Sequence, residues 1–129
     1  MYLLDTSAIL AHCYGEPGAS EVDVILSNRE GYVAAVTWYE LRLKLRDEIG
    51  GPDLLRVYRD AVAGTVDITF EVAEAAFALR QETGIRIPTA DCLIAGAARA
   101  RGFELVHRDA HLGVIPHHQL AHKMLPPKR

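Results

Sequence analysis

The chain opens on a short apolar run, residues 1–4, that stops at an acid and two hydroxyls, Asp5, Thr6 and Ser7. An apolar run of that length bounded by polar residues reads as a buried strand emptying into a turn. After Pro17 and Gly18, Ser20 is placed to cap a helix whose Val22, Ile25 and Leu26 recur at helical spacing, with Asn28 and Gly31 closing it. Residues 32–36 read as a second strand. Thr37 then stands at a helix start with Glu40 three residues on, the capping-box spacing, and the helix carries Leu41, Leu43 and Leu45 toward Gly50 and Gly51. Another helix follows Pro52, which suits a first helical turn, and residues 65–70 alternate as a strand. Residues 71–83 are Ala-rich and helical, with Gly84 to stop them; Thr89 is placed to cap a helix over 90–101 that ends at Gly102. Residues 103–106 are the last clear strand.

Strands alternating with helices imply parallel pairing through crossover connections, with helices covering both faces of the sheet. The pattern therefore predicts an α/β sandwich as one domain over residues 1–129, with no repeat and no linker. Residues 116–129 mix His, Pro and Lys without apolar periodicity and read as a partly mobile tail.

Composition narrows the class. Half of the 129 residues are hydrophobic and 24% are charged, which supports a core and excludes a disordered or fibrous chain. The net charge of −3 lends no electrostatic support to nucleic-acid binding, which usually shows a basic excess. Two cysteines, Cys13 and Cys92, are too few for a disulfide framework and lie in apolar stretches, as expected of reduced thiols in the cytoplasm. The first ten residues lack a basic leader and carry Asp5 inside their apolar run, so neither a secretory signal nor a membrane span is expected.

The candidate chemistry lies in acids at strand-to-helix junctions, because ligands of open parallel sheets collect beyond the carboxyl ends of the strands. Asp5 ends the first strand, and Asp109 follows the last by way of His107 and Arg108. Glu40 and Asp91 lie in the first turns of the helices expected to begin near Thr37 and Thr89. Each acid alone has an ordinary structural reading, as a capping-box partner, a helix-dipole partner, a cap or a turn starter. Together they are harder to accommodate: two carboxylates 4 Å apart repel by roughly 4 kcal/mol at an effective dielectric of 20. Several such pairs rival a whole folding stability of about 5–15 kcal/mol, so a fold that gathers them must protonate some or hold a divalent cation. Oxygen-only donors suit Mg²⁺ or Mn²⁺ rather than Zn²⁺.

The blocks LLDTSAIL, TWYEL around Glu40, PTADCLIAGAA around Asp91 and ELVHRDAHLG around Asp109 resemble, in order and separation, the PIN-domain ribonucleases. The likeness spans nearly the whole chain and is greatest to the VapC-type toxins of prokaryotic toxin–antitoxin pairs. This resemblance implies a three-layer α/β/α sandwich with a mainly parallel sheet, an acidic site binding Mg²⁺ or Mn²⁺, and hydrolysis of RNA phosphodiester bonds. It implies Asp5 and Asp91 as the principal metal ligands, Glu40 as a holder of the metal or its water, and Asp109 as the fourth acid. Ser7 would orient Asp5 or a bound water, beside its ordinary reading as a helix cap. A VapB-like antitoxin and a homodimer are implied as partners. The string His107-Arg108-Asp109-Ala110-His111 departs from the family's usual Thr before the basic residue and aromatic or apolar residue beyond the acid.

For an RNA substrate, Arg42, Lys44, Arg46 and Arg108 are the candidate phosphate contacts, with Tyr14 or Trp38 able to stack on a base. Charges on an exposed helix ordinarily just face water. Leu41, Leu43 and Leu45 offer either a partner surface or a helix buried on several faces. Two rival classes stand beside the nuclease: a non-catalytic α/β binding module, and a metal-dependent phosphatase with Asp5 as nucleophile, although the second acid expected two residues beyond such a nucleophile is missing. The pairs His107/His111 and His118/His122 have a four-residue spacing that also suits zinc, a weak signal in a segment broken by prolines.

Overall fold

The computed structural model describes residues 1–128. Its five strands are β1 (Tyr2–Leu4), β2 (Gly31–Ala34), β3 (Gly64–Val66), β4 (Glu104–His107) and β5 (His122–Met124). They form one sheet in the order β3-β2-β1-β4-β5, with every neighbouring pair parallel. The helices are α1 (Thr6–Cys13), α2 (Ala19–Ser27), α3 (Ala35–Leu45), α4 (Gly51–Ala61), α5 (Phe70–Thr83), α6 (Thr89–Arg101) and the short α7 (Ala110–Gly113). No helix among the described residues is long and apolar enough to cross a membrane.

Side chains alternate across a strand, so each strand dipeptide feeds both faces of the sheet. Leu3, Ala34 and Leu105 join Leu79, Ile94 and Leu112 in one core, while Leu4, Val33 and Val106 join Ile9, Val22, Leu41 and Tyr58 in the other. Burial on both faces explains why these strands read as continuous apolar runs. Helices α5 and α6 pack tightly on the first face. A Cβ on Gly96 would stand 2.7 Å from the Cβ of Ala76, so only a glycine permits this approach.

The chain leaves β1 toward β2 and β3 on one side, then returns to place β4 on the other side of β1. This reversal makes the carboxyl ends of β1 and β4 the topological switch point, the place where ligands of open α/β sheets bind.

Several local expectations are corrected. Helix α3 starts at Ala35 with Ala34 as its N-cap and no side-chain cap, so Thr37 and Glu40 make no capping box; Thr37 is buried inside the helix. Helix α2 is preceded by Gly18, whose φ of 95° takes the chain into the helix, and Ser20 lies within it. Strand β3 stops at Val66 because Thr69 caps α5 by accepting from the Val72 amide at 3.2 Å. Pro88 takes the N-cap position of α6, leaving Thr89 as its first residue. Beyond Pro116 the chain is not without structure: Leu120 and Leu125 are buried, and between them β5 pairs with β4 at the sheet edge. Leu41 and Leu45 are also buried, leaving Leu43 as the exposed member of the apolar set on α3.

Candidate metal centre

The candidate site stands at the ends of β1 and β4, with Asp91 in the first turn of α6; Glu40 lies in the second turn of α3 and not in the first as expected, because that helix begins at Ala35. Asp5 caps α1: its Oδ2 accepts from the Ser7 amide at 3.2 Å and from the Ser7 hydroxyl at 2.6 Å. Ser7 Oγ accepts in turn from the backbone amide of Arg108 at 2.9 Å, tying the exit of β1 to the exit of β4. Ser7 therefore serves both as a helix-start residue and as the group that orients Asp5. Only 3% of Asp5 is exposed, and burial pushes its carboxyl up to about 6 against the lowering pull of the Ser7 bonds, with Glu40 adding a smaller push.

Glu40, on α3, is reached from α1. The Thr6 hydroxyl donates to Glu40 Oε1 at 2.5 Å and also lies 3.5 Å from the Thr37 hydroxyl. Thr6 was not among the expected site residues; its signal is its place directly after Asp5, in the first turn of α1.

Asp91 lies in the first turn of α6, where the helix dipole favours a negative charge. Its carboxyl is nevertheless pushed up to about 7, first by desolvation and then by Asp109, with Asp5 and Glu40 adding to the repulsion. All four predicted acids thus act on one another in a single place.

Asp109 caps the short α7. Its Oδ1 accepts from the His111 amide at 2.8 Å and lies 3.1 Å from His111 Nδ1. One donor atom each from Asp91, Asp109 and His111 lie within 4.8 Å of one another. Spacing alone offers His111 as half of a zinc pair with His107; in the fold it meets the acids instead.

Behind Asp109 runs a buried histidine relay. His122 Nε2 lies 2.7 Å from the Ile115 carbonyl, which can only accept, so that nitrogen carries the proton. His122 Nδ1 then accepts from His107 Nε2–H at 2.9 Å, and His107 Nδ1 accepts from the Asp109 amide at 3.1 Å. One proton on each ring satisfies all three bonds. Burial, and then His122, push His107 down to about 4. Pairing with each other removes His107 and His122 from the two zinc pairs considered on spacing.

The basic residues divide. Arg108 is occupied, pairing with Glu16 at 2.7 Å with only 11% of its side chain exposed. Trp38 donates to the Thr65 hydroxyl at 2.9 Å, and Tyr14 donates to Glu48 at 3.2 Å. Arg42 and Lys44 remain exposed on α3 and Arg46 at its C-cap, with Lys44 one turn beyond Glu40 on the same helical face.

A family model described as "PIN domain" matches residues 2–117. No curated protein matches the sequence. Among solved structures, the chain is similar to VapBC2 from Rickettsia felis, a complex bound to a DNA fragment from its promoter, at 19% identity and a TM-score of 0.79, covering 97% of this chain and 98% of that one. A toxin–antitoxin complex from Klebsiella pneumoniae gives 24% identity and a TM-score of 0.70 over 90% of this chain and 93% of that one. VapBC-5 from Mycobacterium tuberculosis gives 19% and 0.67 over 95% and 94%. These likenesses share the parallel five-stranded sheet and its covering helices.

Proposed function

Because the chain belongs to the PIN domain family, we propose that its carboxylate cluster is the centre of a metal-dependent endoribonuclease and that the protein acts as the toxin of a type II toxin–antitoxin pair. The observation that carries this reading is the gathering of donor atoms from Asp91, Asp109 and His111 within 4.8 Å of one another, where burial first and then repulsion from Asp109, Asp5 and Glu40 raise an Asp91 carboxyl that a helix N-terminus would otherwise favour in its charged form. Such repulsion is a standing cost to the metal-free fold, relieved by a hard divalent cation among oxygen donors.

The residues present fit Mg²⁺ or Mn²⁺. Asp5, Glu40, Asp91 and Asp109 would hold the ion, with Asp91 and Asp109 already close enough to share one. When bound, such an ion polarises phosphoryl oxygens, lowers the pKa of water and steadies the leaving oxygen. The protein's own groups supply position. Ser7 fixes the Asp5 carboxylate, Thr6 fixes Glu40, and the histidine relay fixes the backbone at Asp109. Held in this way, these groups lose little ordering entropy when substrate arrives. Lys44 is the basic side chain best placed to meet a phosphate on the Glu40 side. In the hydrolysis, water attacks phosphorus in line, the bond from phosphorus to the 3′ oxygen breaks, and a proton ends on that oxygen, leaving a 5′-phosphate and a 3′-hydroxyl.

The likeness to VapBC complexes supports a VapB-like antitoxin as partner, a homodimeric toxin and a cytoplasmic location, where Cys13 and Cys92 stay as the free thiols observed. The test is cleavage of a set of structured RNAs with Mn²⁺, with Mg²⁺ and with EDTA. Cleavage that requires metal and disappears in Asp5→Asn and Asp91→Asn supports the proposal. Metal-independent cleavage, or full activity in both variants, overturns it.

A further inference from the structure

Resting on this metal-dependent reading, we propose that His111 is an additional ligand that turns the all-carboxylate site into a mixed nitrogen and oxygen site and biases it toward Mn²⁺ over Mg²⁺. Two observations and one comparison with coordination geometry converge on His111. A ring nitrogen of His111 lies within 4.8 Å of donor oxygens on both Asp91 and Asp109, so the imidazole belongs to the same cluster as the acids. The cap of α7 needs only the His111 amide, which already donates to Asp109 Oδ1 at 2.8 Å; the ring comes to the same oxygen as well, at 3.1 Å. A third point is separation: two neighbouring donors on a six-coordinate ion with bonds near 2.1 Å stand about 3 Å apart, which is the spacing His111 Nδ1 and Asp109 Oδ1 already have.

In the metal-free chain this contact is an N–H···O bond. Coordination needs only that the imidazole proton sit on Nε2, and His111 is largely exposed, with 64% of its side chain accessible, so water can accept that rearrangement. Imidazole nitrogen is a better donor to Mn²⁺ than to Mg²⁺, which binds oxygen almost exclusively and keeps its waters. A single histidine among carboxylates therefore alters selectivity without abolishing Mg²⁺ binding.

The experiment is metal binding by the full chain, read without catalysis. Mn²⁺ is titrated into wild type, His111→Ala, His111→Gln and Asp91→Asn by electron paramagnetic resonance, with ¹⁴N couplings recorded on bound Mn²⁺; Mg²⁺ affinity is measured by competition. The expected result is a ¹⁴N coupling in wild type that vanishes in both His111 variants, with Mn²⁺ affinity falling about tenfold and Mg²⁺ affinity falling less than about twofold. If Mn²⁺ binds wild type, fails to bind Asp91→Asn, and shows neither ¹⁴N coupling nor any loss of affinity in the His111 variants, the His111 assignment is overturned while the carboxylate site stands. If wild type binds neither ion, or Asp91→Asn binds both as tightly as wild type, the underlying reading fails and His111 falls with it.

Discussion

The hydroxyl of Thr6 donates to Glu40 at 2.5 Å across 34 positions of sequence, joining the first turn of α1 to α3. This bond decides where the Glu40 carboxylate stands. Thr6→Val keeps the shape and removes the donor, and is expected to lower Mn²⁺-dependent cleavage about tenfold while costing about 1 kcal/mol of stability. Thr6→Ser should restore most of the activity. Cleavage assays and urea unfolding on the three proteins measure both effects; wild-type activity in Thr6→Val would remove Thr6 from the site.

Asp5 carries a folded pKa of about 6 against 3.8 for the free carboxyl. A raised carboxyl contributes stability below its unfolded pKa and loses it as pH rises, so in EDTA the ionised form is a burden above about pH 6. Asp5→Asn, which imitates the protonated acid and keeps an acceptor for Ser7, is expected to stabilise the metal-free protein at pH 8 by up to about 3 kcal/mol while abolishing cleavage. Thermal unfolding in EDTA at pH 8 checks the sign. A destabilised Asp5→Asn would mean that the cap, not the charge, dominates.

His107 runs the other way. Its pKa is lowered from 6.5 to about 4, so its contribution is full above 6.5 and is lost as pH falls through 4, roughly 3 kcal/mol in total. This loss and the relief of Asp5 fall in the same pH window and oppose each other. Asp91, raised to about 7, loses stability with rising pH as Asp5 does, so the wild-type stability in EDTA should fall between pH 4 and 7, and that of Asp5→Asn should fall less steeply. Denaturant melts across that range would show the difference, and parallel curves would contradict it.

Gly96 faces Ala76 with no room for a Cβ. Gly96→Ala should destabilise the chain by about 1–3 kcal/mol through overpacking. Because α6 carries Asp91, Mn²⁺ affinity should fall as well. Urea unfolding and metal titration together test this; an unchanged midpoint would show that α5 can yield.

Much of this was legible in the chain, and the failures have physical causes. The three strands with apolar pairs, Leu3-Leu4, Val33-Ala34 and Leu105-Val106, announce themselves because both faces of a parallel sheet are buried. Asp5, Asp91 and Asp109 were readable from their places at junctions. Glu40 is legible for a partly mistaken reason: the capping-box spacing from Thr37 is real, but the N-cap stands three residues earlier, at Ala34, and the hydroxyl that holds Glu40 comes from Thr6. Long-range hydrogen bonds leave no periodic trace. Strand β5 was invisible because His122, Lys123 and Met124 carry no alternation, and the residues that anchor it, Leu120 and Leu125, flank it instead. His111 was hidden for a similar reason, since its spacing to His107 suggested a helical face where the chain forms a strand end and a turn.

The late insertion of β4 beside β1 also sets when the carboxylate set can be completed during the chain's own synthesis. A nascent polypeptide that has emerged only as far as α6 already contains Asp5, Glu40 and Asp91, yet β4 has not been inserted beside β1, and the amide of Arg108 that steadies Ser7 does not yet exist. The fourth acid arrives only with the final fifth of the molecule. On the proposed nuclease reading, a ribosome making this protein meets no complete carboxylate set at its exit tunnel until translation is nearly over, and products truncated before β4 should cleave no RNA.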